Sequence, residues 1–484
     1  MFRSFASSVI TLLAVLVFAF GLLFFWSGSE NVEFKRVAME GDRPTAAVLE
    51  EYRRKTAQAT EVASNENMKE EAPKPVSRGN GDGLPVVLWI SIPGFRGDYI
   101  EKSETPFMDE LISSGGGTNK MRPNFPCLTY PAHATLATGT PPATHGIIAD
   151  RIRTAPGEVI DNPTDSALLG AEPIWTTATR QGIKTIVHDW PLSQNQTGDN
   201  PAAFFLDSFD PDATDEARLN TALETWKGTV SGDAPLEDKD KVRLVMLRLT
   251  DIQKAGLVHG PRGDDTYAAV AATDAALKKF VDSVEAEWEK LAPIDGNLVI
   301  FITTDHGMAE LEKNVNIAHL LGEEMMANAD VVAHDAVANL YFKNLPESEG
   351  EQKLFTEKFD GELSKRIYFR TYKKEELPED FKYNNERVGD RVLTLKTGYA
   401  FVDDKAEEPV FDPTAGPGYF GGFGYPVGES IRMSGQIIIS GIPKSPVTGE
   451  LGEIIGQEGF HASVCKILGI EPAEGASTET LPVE

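Results

Sequence analysis

Two segments place nucleophilic and metal-ligating side chains where chemistry is possible. In the first, Asp305-His306 directly follows the apolar run Asn297-Leu-Val-Ile-Phe-Ile-Thr303. A carboxylate and an imidazole at the end of a buried strand can both reach one metal ion; a capped strand end with a surface histidine gives the same pattern. The second segment is Phe125-Pro-Cys-Leu-Thr129-Tyr-Pro-Ala-His133, followed by Thr138-Gly139 and His145-Gly146. Thr129 stands between two prolines just ahead of a helical pattern. Its hydroxyl can serve as a nucleophile at a helix N-terminus, where unpaired backbone N–H groups favour a phosphate, or as an ordinary helix cap.

The elements that position these residues are legible as short, continuous apolar runs. Pro85 to Ile92, Leu244 to Leu249, Asn297 to Thr303 and Gln436 to Ser440 each read as a strand buried on both faces. Helical patterns separate them, Thr266 to Trp288 being the longest. Strands alternating with helices predict an α/β fold: an open, mostly parallel sheet covered on both faces, with ligands beyond the carboxyl ends of the strands. Both chemical segments fall at such ends.

The order of blocks adds a resemblance. Trp89-Ile-Ser-Ile-Pro-Gly-Phe-Arg-Gly-Asp-Tyr99, then Thr105-Pro106 with Asp109 and Leu111, then the Thr129 stretch through Ile147, lead the series. Pro173-Ile-Trp-Thr-Thr-Ala178, Asp305-His-Gly-Met308 and His461 to Ala473 complete it. Together they resemble the type I phosphodiesterases/nucleotide pyrophosphatases of the alkaline phosphatase superfamily across residues 84–475. The resemblance implies an alkaline-phosphatase-like fold and a two-zinc hydrolase. In it a threonine attacks phosphorus and six side chains hold the metals, which act as Lewis acids and as a clamp on the oxygens.

Carried over residue by residue, Thr129 stands at the nucleophile position, and Asp305 and His306 at two zinc-ligand positions. The first-strand carboxylate of the family's Ser-Ile-Asp-Gly-Phe-Arg is Pro93 here. The second metal takes an Asp, a His four residues later and a distant His before Gly-Tyr. Asp251 is the available carboxylate, although two residues too many separate it from Gly260-Pro261. Leu257 and Phe423 occupy the two histidine positions. Asp150 replaces the asparagine that helps hold phosphate, and a carboxylate there repels a phosphate unless protonated or paired. Three of six ligand positions, Pro93, Leu257 and Phe423, thus lack a donor. A one-metal site from Asp305, His306, Thr129 and either Asp150 or Asp251 stays open, as does His259 as a shifted ligand. The expectation is a weak or inactive member whose full two-zinc occupancy is doubtful. The alternatives are an active phosphodiesterase using Thr129 with a rearranged metal site, and a glycoconjugate-handling member of a transferase branch of the superfamily.

Val9 to Trp26 has Thr11 as its only clearly polar side chain and is long enough to span a bilayer. Trp26 suits an interface, whereas a cleaved signal peptide would have a shorter apolar run. The expected layout is a short cytoplasmic tail (1–8), a transmembrane anchor (9–26), a polar stalk (27–83), the main domain (84–475) and a C-terminal tail (476–484). This is a single-pass type II protein with its large domain extracellular or lumenal. Asn195-Gln196-Thr197 is a glycosylation sequon consistent with that side. The 46 Lys+Arg against 74 Asp+Glu leave a net charge of −28, which argues against nucleic acid as a partner but not against a nucleotide or phosphodiester ligand. Cys127 and Cys465 are too few for a disulfide scaffold and read as buried thiols or one long-range bridge.

Overall fold

The computed structural model describes residues 39–40, 43–44, 80–231, 235–402, 408–415, 418–452 and 454–484. The expected anchor (9–26) lies outside the described residues. So does the stalk, apart from the backbone of 39–40 and 43–44 and the last residues before 84. Among the described residues no helix is long and apolar enough to cross a membrane.

A nine-stranded sheet forms the centre. Its main strands begin with β1 (Val86–Ser91), β2 (Gly116–Arg122), β3 (Lys184–His188), β4 (Phe204–Phe205), β5 (Val242–Arg248) and β6 (Leu298–Thr303). The chain then leaves for a separate four-stranded antiparallel sheet, β7 (Ala329–His334), β8 (Val337–Phe342), β9 (Phe369–Lys373) and β10 (Arg391–Leu395). It returns as β11 (Gly435–Ile442). The central order is β2–β11–β6–β1–β5–β3–β4. β6, β1, β5, β3 and β4 run parallel, whereas β11 is antiparallel to both β6 and β2. The sheet is therefore mixed but mostly parallel, as expected: β11 alone runs against the other strands, because β2, antiparallel to β11, points the same way as β6. A strand buried on both faces shows the same apolar run whichever way it points.

Burial explains those runs. Val86, Leu88 and Ile90 enter one core cluster, while Val87 and Trp89 enter the cluster on the opposite face, as the two-residue period of a strand requires. Trp89 satisfies its indole N–H on Thr303 Oγ1 at 3.0 Å and packs edge-on against Trp190 with ring centroids 5.1 Å apart.

The helices that frame the site are α1 (Pro106–Ser114), α2 (Thr129–Thr138), α3 (Asp215–Gly228), α4 (Asp251–His259), α5 (Asp264–Ala286) and α6 (Gly459–Leu468). Asp274 of α5 caps α1 by accepting the Phe107 and Met108 amides at 3.1 and 2.8 Å. Cys127 and Cys465 are both buried free thiols. The expected C-terminal tail packs onto the domain: Leu481 and Val483 are buried, and the Leu481 amide donates to Ser463 Oγ at 2.8 Å.

Candidate functional site

Thr129 opens α2 at the carboxyl end of the central sheet, after Leu128 in extended conformation. Its side chain has no exposed surface. One turn on, His133 donates from Nδ1 to the Thr129 carbonyl at 2.7 Å, and its Nε2 accepts from Ser91 Oγ at 2.8 Å. Ser91 is the last residue of β1, so this imidazole ties the helix that Thr129 opens to the central strand. Burial, with the nearby charge of Arg248, holds His133 well below the usual histidine range, so it is neutral.

Asp305 and His306 follow β6 and are also fully buried. Asp305 Oδ1 accepts the amides of Gly94 at 3.1 Å and His306 at 2.6 Å. Its Oδ2 has no hydrogen-bond partner and lies 3.3 Å from His306 Nε2. Burial pushes this carboxyl above its ordinary range, against opposing pulls from His306, the two amides and Arg248. His306 Nδ1 donates to the Gly307 carbonyl at 2.7 Å, which leaves Nε2 as an acceptor. That nitrogen is 3.4 Å from Thr129 Oγ1. Gly307 donates to the Met433 carbonyl at 2.7 Å, and a Cβ there would run into the Arg432 carbonyl. The 426–434 loop therefore closes directly over the Asp-His-Gly turn.

The structure brings Thr129, Asp305 and His306 together, but not Asp251. Asp251 stands at the start of α4, where its Oδ2 accepts the Asp215 amide at 2.8 Å and its Oδ1 pairs with Lys254 at 3.1 Å. Asp215 returns the favour, accepting the Thr250 and Asp251 amides at 2.6 and 3.1 Å. Two helix N-termini thus cap each other with carboxylates, the preference expected for an acid in a first turn. The residue of α4 that reaches Thr129 is Gln253, whose Nε2 donates to Thr129 Oγ1 at 3.3 Å. Gln253 lies four residues before Leu257, the spacing that the resemblance requires between the Asp and His of the second metal. The carboxylate expected at Asp251 is therefore a glutamine at 253.

Leu257 and Phe423 have no exposed surface and share one apolar cluster with Met308. The Phe423 ring stacks on His306 with centroids 4.2 Å apart and planes 25° apart. His259 lies at the end of α4 beside Asp265, 3.2 Å away, in a pairing away from Thr129. Pro93 is buried at the turn after β1 and offers no donor side chain.

Asp150 is fully buried. Its Oδ1 accepts the Tyr130 amide at 2.8 Å, in the first turn of α2. Its Oδ2 is 3.5 Å from His334 Nδ1, and Asp335 Oδ2 is 3.4 Å from the same nitrogen. The chain's own carboxylate thus occupies an N–H that a phosphate would use, with an imidazole alongside it.

Four of the six ligand positions therefore carry Pro93, Gln253, Leu257 and Phe423. A proline and two hydrocarbon side chains offer a cation nothing, and the Gln253 amide N–H is turned to Thr129. This donor set does not fit a two-zinc centre, in which each metal needs a nearly filled shell of N, O or S donors. Among the described residues no group of three or more His, Cys, Asp or Glu is placed to hold a metal. Sequence reasoning missed Gln253, Ser91 and His334 as members of this neighbourhood; only Gln253 had a usable signal, the four-residue count back from Leu257.

The sequence model of the type I phosphodiesterase / nucleotide pyrophosphatase family matches residues 87–420. An uncharacterized pyrophosphatase/phosphodiesterase of Schizosaccharomyces pombe is 26% identical over 353 residues, 69% of this chain and 68% of the relative. Family member 7 of the rat ectonucleotide pyrophosphatases/phosphodiesterases is 26% identical over 342 residues, 65% of this chain and 70% of the relative. Among solved structures, murine ectonucleotide pyrophosphatase/phosphodiesterase 5, as an inactive variant in complex with AMP, superposes with a TM-score of 0.64 at 21% identity. The match covers 82% of this chain and 98% of that one, a likeness of fold.

Proposed function

Starting from a chain that belongs to the type I phosphodiesterase/nucleotide pyrophosphatase family, we propose that it is a hydrolytically silent member, built on the hydrolase fold without the hydrolase's two-metal centre. The observation that carries this reading is the content of the ligand positions. Pro93, Gln253, Leu257 and Phe423 stand where four donors are needed, and the last two are packed core residues. Complete burial of Thr129, Asp150, Asp305 and His306 supports it, because a reacting phosphate has to touch these groups. The same reading places the domain on the extracellular or lumenal side of a membrane, anchored through residues 9–26. The exposed Asn195 side chain, in a loop, is compatible with glycosylation on that side.

An active enzyme with a rearranged site is the second reading. It is favoured by the retained approach of Thr129 to His306 at 3.4 Å and by the unpartnered Asp305 Oδ2. Elemental analysis of the purified full chain and hydrolysis of a chromogenic aryl phosphodiester separate the two. The silent reading expects no stoichiometric zinc and the same background rate for wild type and Thr129→Ala. Two tightly bound zinc ions per chain, or turnover that Thr129→Ala abolishes, would overturn it.

A further inference from the structure

We propose that Gln253 is a positioning residue that replaces a metal ligand with a hydrogen bond, so that the Thr129–His306 pair keeps its geometry with no cation present. The inference rests on the silent reading of the site and adds what holds that site together.

A threonine hydroxyl can donate one hydrogen bond and accept two. Buried in this centre, Thr129 Oγ1 has two hydrogen-bonding neighbours among the described residues: the bare Nε2 of His306 at 3.4 Å and the Nε2 amide of Gln253 at 3.3 Å. Because His306 Nδ1 already donates to Gly307, its Nε2 accepts, and the Thr129 proton points at it. The hydroxyl lone pairs then face Gln253, which supplies an N–H. Where a cation would draw on the oxygen lone pair, a neutral amide donor draws on it instead, at no cost in buried charge.

The rest of the arrangement agrees with this. Phe423 stacks on the His306 imidazole and fixes its plane. Leu257, one turn after Gln253 on α4, packs into the same apolar cluster as Phe423. α4 therefore presents an amide to the nucleophile and a hydrocarbon to the ring, at the two positions whose expected residues are both metal ligands. A carboxylate at 253 would instead turn an acceptor towards the Thr129 lone pairs and put a second carboxylate into the buried centre that already holds Asp305.

The test is a double-mutant cycle on the full chain, read by equilibrium unfolding in urea. Gln253→Met keeps the shape and removes the donor; Thr129→Val keeps the shape and removes the hydroxyl. If Gln253 acts through that hydroxyl, Gln253→Met lowers the folding equilibrium constant about fivefold or more in the wild type and much less in Thr129→Val. Additive losses would overturn the proposal, since they would make Gln253 a space filler. If Gln253→Met does not fold, Gln253→Asn, one methylene too short to reach, replaces it in the cycle. In a second arm, neither 1,10-phenanthroline nor zinc chloride shifts the wild-type melting temperature; a shift with either would show that a cation still holds the pair. Additivity with no aryl phosphodiester turnover sinks this inference alone. Turnover that depends on Thr129, with coupling intact, sinks the silent reading alone.

Discussion

Phe423→His puts back the side chain that a zinc centre would use, and the structure says what it should do. Phe423 is completely buried, belongs to the apolar cluster around Leu257 and Met308, and lies 4.2 Å from the His306 ring centroid. Replacing it by imidazole loses apolar burial worth about 1–2 kcal/mol. It also buries two ring nitrogens among hydrocarbon neighbours, at about 1–3 kcal/mol if they stay unpaired. The sum is roughly 2–5 kcal/mol of lost stability. With an m-value of about 3 kcal/mol per molar urea, the unfolding midpoint should fall by roughly 1 M. Zinc should not restore the loss, because Gln253 and Leu257, the other two ligands of that metal, remain non-donors. A zinc site filled at a hundred times its dissociation constant would return about 2.7 kcal/mol, which urea titrations with and without zinc can resolve. A variant as stable as wild type in metal-free buffer would refute the claim that the ring is core packing. Full recovery in zinc would refute the claim that the site is beyond metal rescue by one residue.

Other outcomes follow from particular contacts. Burial, and the neighbouring Asp251 carboxylate, push Asp215 up to about 6. The native state therefore holds its proton more tightly than the unfolded chain, and the stability this gives is present below pH ~4 and lost as pH rises through about 6; Asp215→Asn should flatten that decline, by on the order of 2–3 kcal/mol, in urea titrations at pH 4 and pH 7. Asp274→Ala removes the acceptor for the Phe107 and Met108 amides and should cost about 1 kcal/mol, measurable as a lowered urea midpoint. Expressed through a secretory route, Asn195→Gln should eliminate a glycosidase-sensitive mass shift; an unchanged shift would show that the sequon is unused.

The fold was readable because its central strands are buried on both faces, so Val86 to Ser91 and Leu298 to Thr303 appear as unbroken apolar runs. Direction was not readable, because β11 presents the same kind of run and yet lies antiparallel to β6. Within the site, Thr129, Asp305 and His306 announce themselves by type and by the strand or helix end they occupy. Asp251 was misread for a physical reason: carboxylates at the start of a helix serve equally well as caps, and here two helices trade them. Gln253 carries no chemical signature of its own. His334 approaches Asp150 from the end of β7, a strand of the separate antiparallel sheet, and no local pattern links the two.

The replaced positions argue for a rebuilt centre over a merely broken one. Deleting ligands from a buried two-metal site should leave lone pairs and rings without partners, each a cost of about 1–3 kcal/mol. Here the Thr129 hydroxyl, both nitrogens of His306 and both nitrogens of His133 each have a partner. The face of His306 is covered by Phe423, and a helix N–H open to phosphate is taken by Asp150. Within the Thr129–His306 core the remaining orphan is Asp305 Oδ2, on a carboxyl that burial pushes towards its neutral form. The centre is then held by the same kinds of force as the surrounding core, which is why its variants are best read by stability as well as by turnover.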